Sequence, residues 1–267
     1  MATAPTRRRR GGNAAARDAN AAVNAARERS FLFYQSVDSV SSEQHGKLSL
    51  AADIDYTFAE KTNSIPLNGV EFSAAARHYP IIFNHEPGGS PLAIVGVRSN
   101  ENLFVEGDGN WAEGCYLPAF VRRYPFIFIA ERENSELSFC VDSKSNLLTE
   151  GGDRALFQNG RSSELLQNIA RFCAAYARQQ NATRNFVAAI EDQDLLIERS
   201  ADITLPNGQK IAMRGFRVID EGRLRNLAPS TADEWRRNGW LSWIASHMVS
   251  LGNFGRLYYR VKARDAG

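Results

Sequence analysis

Three patterns in this chain could do chemistry. Glu106, Asp108 and Asn110 alternate with Gly107 and Gly109, which sets oxygen donors at the first, third and fifth positions of a calcium loop. The sixth position, where such a loop needs glycine, is Trp111, and the twelfth, where it needs glutamate, is Leu117. A turn between strands therefore fits better than a metal loop, and no metal or cofactor is expected. The second pattern is a set of histidines, His78, His85 and His247, that could act as general acid or base beside Asp55, Asp108 or Asp142. His247 falls on an apolar stripe, which predicts a core histidine. The third pattern is the run Arg7, Arg8, Arg9, Arg10, followed by Arg17, which could grip phosphates or an acidic groove. No aromatic residue that could stack on a base occurs before Phe31, so nonspecific polyanion contact is expected rather than sequence reading.

Other signatures are missing. The chain has no G-x-S-x-G elbow, no G-x-x-x-x-G-K-[ST] loop and no strand-linked G-x-G-x-x-G. Cys115, Cys140 and Cys173 are odd in number and widely spaced, which predicts small buried thiols rather than a disulfide framework. No catalytic residues are assigned, and a non-enzymatic role is expected. Asp108, Trp111 and Tyr116 are the candidate lining of a ligand cleft.

The elements that must hold these residues divide the 267-residue chain into three parts. Residues 1–30 form a basic arm rich in Ala and Arg. Its seven arginines against Asp18 and Glu28 give a net +5, which leaves −3 for the rest of a chain whose total is +2. The Arg run is followed by Gly11 and Gly12, not by an apolar h-region, so no Sec export is expected. Synthesis in the cytoplasm without a membrane span is expected, since no run approaches the roughly 18 apolar residues a span needs.

Residues 31–160 read as a β-rich half. Predicted strands are 31–37, 48–52, 81–84, 92–97, 104–105, 126–131 and 137–141, with a polar connection at 40–46. Within it, Ala76-Arg77-His78-Tyr79-Pro80-Ile81-Ile82-Phe83 returns as Val121-Arg122-Arg123-Tyr124-Pro125-Phe126-Ile127-Phe128. Each copy predicts a short helix, a break at Tyr-Pro and a buried strand, because proline pushes the preceding tyrosine out of the α region. The two copies are expected to be related halves of one sheet.

Residues 161–267 read as a mainly helical half. One helix carries Leu165, Leu166, Ile169, Phe172, Cys173 and Tyr176, and a second carries Phe186, Val187 and Ile190. A hairpin is predicted at 200–219 around Pro206-Asn207-Gly208-Gln209. Thr231 and Glu234 have capping-box spacing. A final amphipathic helix runs from Trp240 and ends at Gly252. The expected fold class is α+β, a mixed β-rich N-terminal half packed with a mainly helical C-terminal half containing one β-hairpin.

Several phrases, in order along the chain, resemble the SapC family, bacterial proteins named for a member linked to the paracrystalline surface layer. They include Ser41-Ser42-Glu43-Gln44-His45-Gly46-Lys47-Leu48, Phe72-Ser73-Ala74-Ala75-Ala76-Arg77-His78-Tyr79-Pro80, Glu101-Asn102-Leu103-Phe104-Val105-Glu106-Gly107-Asp108, Tyr116-Leu117-Pro118-Ala119-Phe120-Val121-Arg122-Arg123-Tyr124-Pro125-Phe126, Ala182-Thr183-Arg184-Asn185-Phe186-Val187 and Ser246-His247-Met248-Val249-Ser250-Leu251-Gly252-Asn253. The resemblance implies surface-layer association, and members also occur near genes for outer-membrane uptake and halogenase-like enzymes. It carries no catalytic residues over to this chain. The first 30 residues depart from the family pattern, and such basic arms also serve subunits of shells and virions. The expected function is thus a structural or assembly protein, an oligomeric subunit or attachment factor of a surface layer or phage-like virion. The alternative is an accessory binding protein for uptake or a partner enzyme. A third reading is an enzyme using His78 or His85 with a carboxylate.

Overall fold

A computed structural model describes residues 31–130, 136–204, 208 and 210–266. The basic arm, with Arg7, Arg8, Arg9, Arg10 and Arg17, lies outside the described residues.

The first half runs β1 (Val37–Ser39), α1 (Ser42–His45), β2 (Leu48–Leu50), β3 (Ser64–Pro66), α2 (Phe72–Ala75), β4 (Ile81–Asn84), β5 (Pro91–Ile94), α3 (Ala119–Arg122), β6 (Phe126–Ala130), β7 (Leu137–Asp142), β8 (Leu148–Glu150) and β9 (Phe157–Gln158). The second runs β10 (Arg161–Ser162), α4 (Glu164–Asp192), β11 (Leu196–Thr204), β12 (Lys210–Ile219), α5 (Glu221–Arg225), α6 (Pro229–Arg237), α7 (Trp240–Ser250) and α8 (Phe254–Ala266). The protein is α+β, with the β-rich part N-terminal and the helices C-terminal.

One antiparallel sheet has the order β1-β7-β6, and a larger one has the order β11-β12-β4-β5-β3. The larger sheet draws strands from both halves of the chain, so the two share a core that includes Phe72, Tyr79, Phe83, Phe104, Phe120 and Phe186.

The repeated phrase does build the same local unit twice. Helices α2 and α3 stop just before the break, and β4 and β6 start at the residue after each proline. The copies are not halves of one sheet, however, because β4 belongs to the five-stranded sheet and β6 to the three-stranded one. Their tyrosines serve as anchors in both places: the Tyr79 hydroxyl donates to the Tyr116 carbonyl, and the Tyr124 hydroxyl donates to Asp142 Oδ2 at 3.1 Å.

Other differences have local causes. The expected strand at 31–37 is a turn through Phe33, and β1 begins only at Val37. The buried Asp142 carboxylate accepts the Gln35 and Ser36 amides, which a ladder would otherwise take. Residues 104–105 form no strand, only a bridge from Val105 to Trp111, because Asn102 Oδ1 holds the Phe104 amide in a turn. The connection at 40–46 contains α1, capped by Ser41.

The two helices expected after residue 160 are one helix, α4. Ser163 Oγ caps it by accepting the Leu166 amide, and no Gly or Pro interrupts it through Asp192. Helix α6 starts at Pro229 rather than at a Thr231 box, since proline at the first helical position is already set in helical φ. The helix from Trp240, α7, does stop at Ser250, two residues short of Gly252, but it is not the last helix. The chain passes through a 3-10 turn, Leu251–Asn253, into α8, and Asn253 Nδ2 pins the bend to the carbonyls of Ala76 and Tyr79. Arginines of α8 then clamp loop carbonyls: Arg256 on Arg77, Arg260 on Leu103, and Arg264 on Asn102 and Val105.

Candidate functional site

Asp108 sits at the exposed tip of a turn that is tied to itself. Its Oδ1 accepts the Asn110 amide at 3.0 Å and its Oδ2 accepts Asn110 Nδ2 at 2.8 Å, and these bonds hold its carboxyl below the usual range. Gly109 has φ +81, and a Cβ there would come within 2.6 Å of Asp55 Oδ1. Glu106 faces Arg260 at 3.7 Å. The alternating acids are thus committed to a turn. Among the described residues no group of three His, Cys, Asp or Glu is arranged to hold a metal ion.

Trp111 and Tyr116 are brought together through Tyr79, and Asp108 is not part of that chain. Trp111 Nε1 donates to the Tyr79 hydroxyl at 3.1 Å, and Tyr79 in turn donates to the main chain of Tyr116. The Tyr116 phenol donates to Glu71 Oε1 at 3.0 Å, and Arg122 Nη2 reaches the same phenol at 3.3 Å. Glu71 is buried and also accepts the Asn68 and Ala119 amides, so one carboxylate ties the turn at residue 68 to the start of α3. Burial raises its pKa despite those donors. Burial, with Glu71 beside it, also pushes the Tyr116 phenol up to about 12.

The histidines divide by role. His247 is fully buried, with Nδ1 bonded to the Ile81 carbonyl at 2.9 Å and Nε2 accepting the Ile219 amide at 3.1 Å. That assigns the neutral tautomer with its proton on Nδ1, and burial lowers its pKa to about 4. Strands β4 and β12 pair at Asn84 with Phe216 and at Phe83 with Arg217, and the same register carried past Ile82 and Val218 sets Ile81 opposite Ile219. The imidazole stands between them as a rung of the ladder. His85 Nδ1 lies 3.2 Å from Glu198 Oε1, with both side chains exposed. His78 has its pKa lowered by partial burial and then by Arg77, Arg256 and Arg260. The expected carboxylate partners are engaged elsewhere, Asp55 with the Thr57 amide and Asp142 with four donors from residues 35, 36, 124 and 144.

A groove of about 610 Å³ opens elsewhere, between one face of the five-stranded sheet and the β12 arm of the hairpin. Ile82, Leu92 and Ile94 form its floor, Ile211 and Met213 part of its wall, and Arg98, Lys210 and Arg214 bring positive charge to it. Asn84 also lines it, and its buried Nδ2 has no acceptor among the described residues. Sequence reasoning missed this site. The available signal was the hairpin itself: Ile203, Ile211 and Met213 alternate on a ribbon whose opposite face is exposed, so their common face needs a cover.

Two comparisons return nothing and one returns a family. The family model described as SapC matches residues 40–257, most of the chain. No curated protein matches, and no solved structure matches.

Proposed function

This chain belongs to the SapC family, and from that membership we propose that it is a non-enzymatic assembly protein, an oligomeric subunit or attachment factor of a surface layer or phage-like particle. The observation that carries the reading is the separation of charge. Residues 1–30 hold a net +5, while the rest of the chain holds −3. A cationic segment joined to a mildly acidic body suits a tether that grips a neighbour or an interior polyanion. The body supplies the contact surface, and its exposed Val70, Val249 and Tyr259 are available to neighbours. Synthesis in the cytoplasm followed by incorporation into the particle completes the proposal.

Deleting residues 1–30 tests the tether. The truncated chain should keep its circular dichroism spectrum and melting profile yet fail to enter the particle. Incorporation at the level of the full chain would refute the tether. A second reading, an accessory binding protein, is favoured by the groove between hairpin and sheet. It predicts a ligand-induced rise in melting temperature that a purely structural subunit would not show.

A further inference from the structure

Strand β12 leaves its sheet part-way along. Its rungs to β4 are confined to Phe216 and Arg217, and toward Ile219 the His247 ring takes the next rung. Toward Lys210, no described strand pairs with this edge, while the other edge stays laddered to β11 as far as Lys210 with Thr204. Gly215, at φ +71, and the register shift between Arg199 and Ala201 mark where the ribbon departs. Residues 210–215 therefore carry alternate N–H and C=O groups that face away from β11 over about 20 Å at the usual strand rise. Such an edge is a template for one more strand.

The groove beside this edge suits a particular kind of strand. Its floor of Ile82, Leu92 and Ile94 is aliphatic and can receive alternate side chains. Arg98, Lys210 and Arg214 border it, and among the described residues no carboxylate lines it. Arg98 is paired with Glu101 and Asp265, and Arg214 with Asp202, but Lys210 has no carboxylate partner among the described residues. A second copy's basic arm would bring a net +5 against Lys210, the rim's unpaired cation among the described residues. A fatty acid could use floor and rim but would leave the strand edge unanswered.

We propose that this groove binds an extended peptide segment of a partner protein, alternating apolar and acidic residues, added as a strand along the edge of β12 from Lys210 to Gly215. The inference stands on the hairpin and not on the basic arm, so its failure and the failure of the tether are separable.

Three capped, fluorescein-labelled octapeptides alternating glutamate with valine, isoleucine or leucine would be titrated into the full-length protein at low salt, with anisotropy as the readout. At least one should bind saturably. Methylating its alternate backbone nitrogens on one edge should weaken binding at least tenfold, because the added rungs cannot form. The double variant K210E/R214E, whose changes lie on the exposed face of the ribbon and whose melting profile should match the parent, should weaken binding at least fivefold. The same variant should bind the lysine counterpart of the peptide more tightly than the parent does. Failure of all three peptides, equal binding of the methylated one, or occupancy by palmitate without any peptide binding would overturn the proposal.

Discussion

At the scale of the residue, His247 has the most to lose. An alanine there deletes both partners of a buried carbonyl and a buried amide, at 81 and 219, and leaves a void beside Phe83, whose ring centre lies 5.0 Å from the imidazole. His247→Ala should cost about 3 kcal/mol, read as the shift in urea midpoint, since each orphaned group costs about 1–3 kcal/mol. The pH dependence follows from the depressed pKa. Folded, the ring stays neutral down to about pH 4, whereas unfolded it takes up a proton below its ordinary value of 6.5. The unfolded state therefore binds more protons between those values, so this contribution is complete above pH 6.5 and falls away as pH drops toward 4. Its size is roughly 3 kcal/mol, at 1.36 kcal/mol per pKa unit. Urea unfolding at pH 7 and pH 4.5 should show this loss in the parent and a shallower one in the alanine variant. Glu71, whose folded pKa burial raises, works in the opposite sense, and its carboxyl favours the fold more as it becomes protonated. The apolar stripe through Trp240, Ile244 and Met248 made a core histidine legible in the sequence. Its ladder role was not, because the two main-chain partners lie 166 and 28 residues away.

At the scale of the element, α4 shows how a side chain keeps a helix whole and docks it. Thr183 Oγ1 donates back to the Gln179 carbonyl at 2.7 Å and accepts the amide of Gly69 at 2.9 Å. The polar stretch between Tyr176 and Phe186 read as a gap between two helices. It is the segment where the helix grips the 3-10 turn Gly69–Glu71 by hydrogen bonds instead of apolar contact. Thr183→Val keeps the volume and removes the acceptor, so it should cost about 2 kcal/mol through the orphaned Gly69 amide. Thr183→Ser should recover most of that, with thermal melts of the three proteins as the check. The hairpin was legible from Asn207-Gly208 and from the alternation of Ile203 with Ile211 and Met213, and the observed pairing sets Ile203 opposite Ile211. Its departure from β4 was not legible, because it depends on where β4 ends; Gly215 marks a bulge in the strand but not that the strand leaves its neighbour there. Helix α8 went unseen for a related reason. A glycine that commonly ends helices is here carried through a 3-10 turn whose Asn253 finds carbonyls some 175 residues earlier in sequence.

At the scale of the whole molecule, the five-stranded sheet joins what composition divides. Strands β3, β4 and β5 come from the first half and β11 and β12 from the second, and Phe83 of β4 packs near Phe186 of α4, with ring centres 6.2 Å apart. A fragment of residues 31–160 would lose the helices that cover Phe72 and Phe83 and the strand beside β4. It should lack the cooperative unfolding of the full chain, which in turn should unfold with coincident far-ultraviolet and tryptophan signals. The α+β class was legible because turn chemistry and hydrophobic period change together near residue 160. The candidate groove was not, since no local pattern reports a space between a ribbon and a sheet. The imidazole rung gives this architecture an internal gauge. The Ile219 amide is a strand amide held by a helix side chain, so its deuterium uptake should follow the undocking of α7, while neighbouring amides bonded strand to strand follow the opening of the sheet. Two clocks thus run side by side in one ladder, and the interval between them measures how firmly the C-terminal helices are seated.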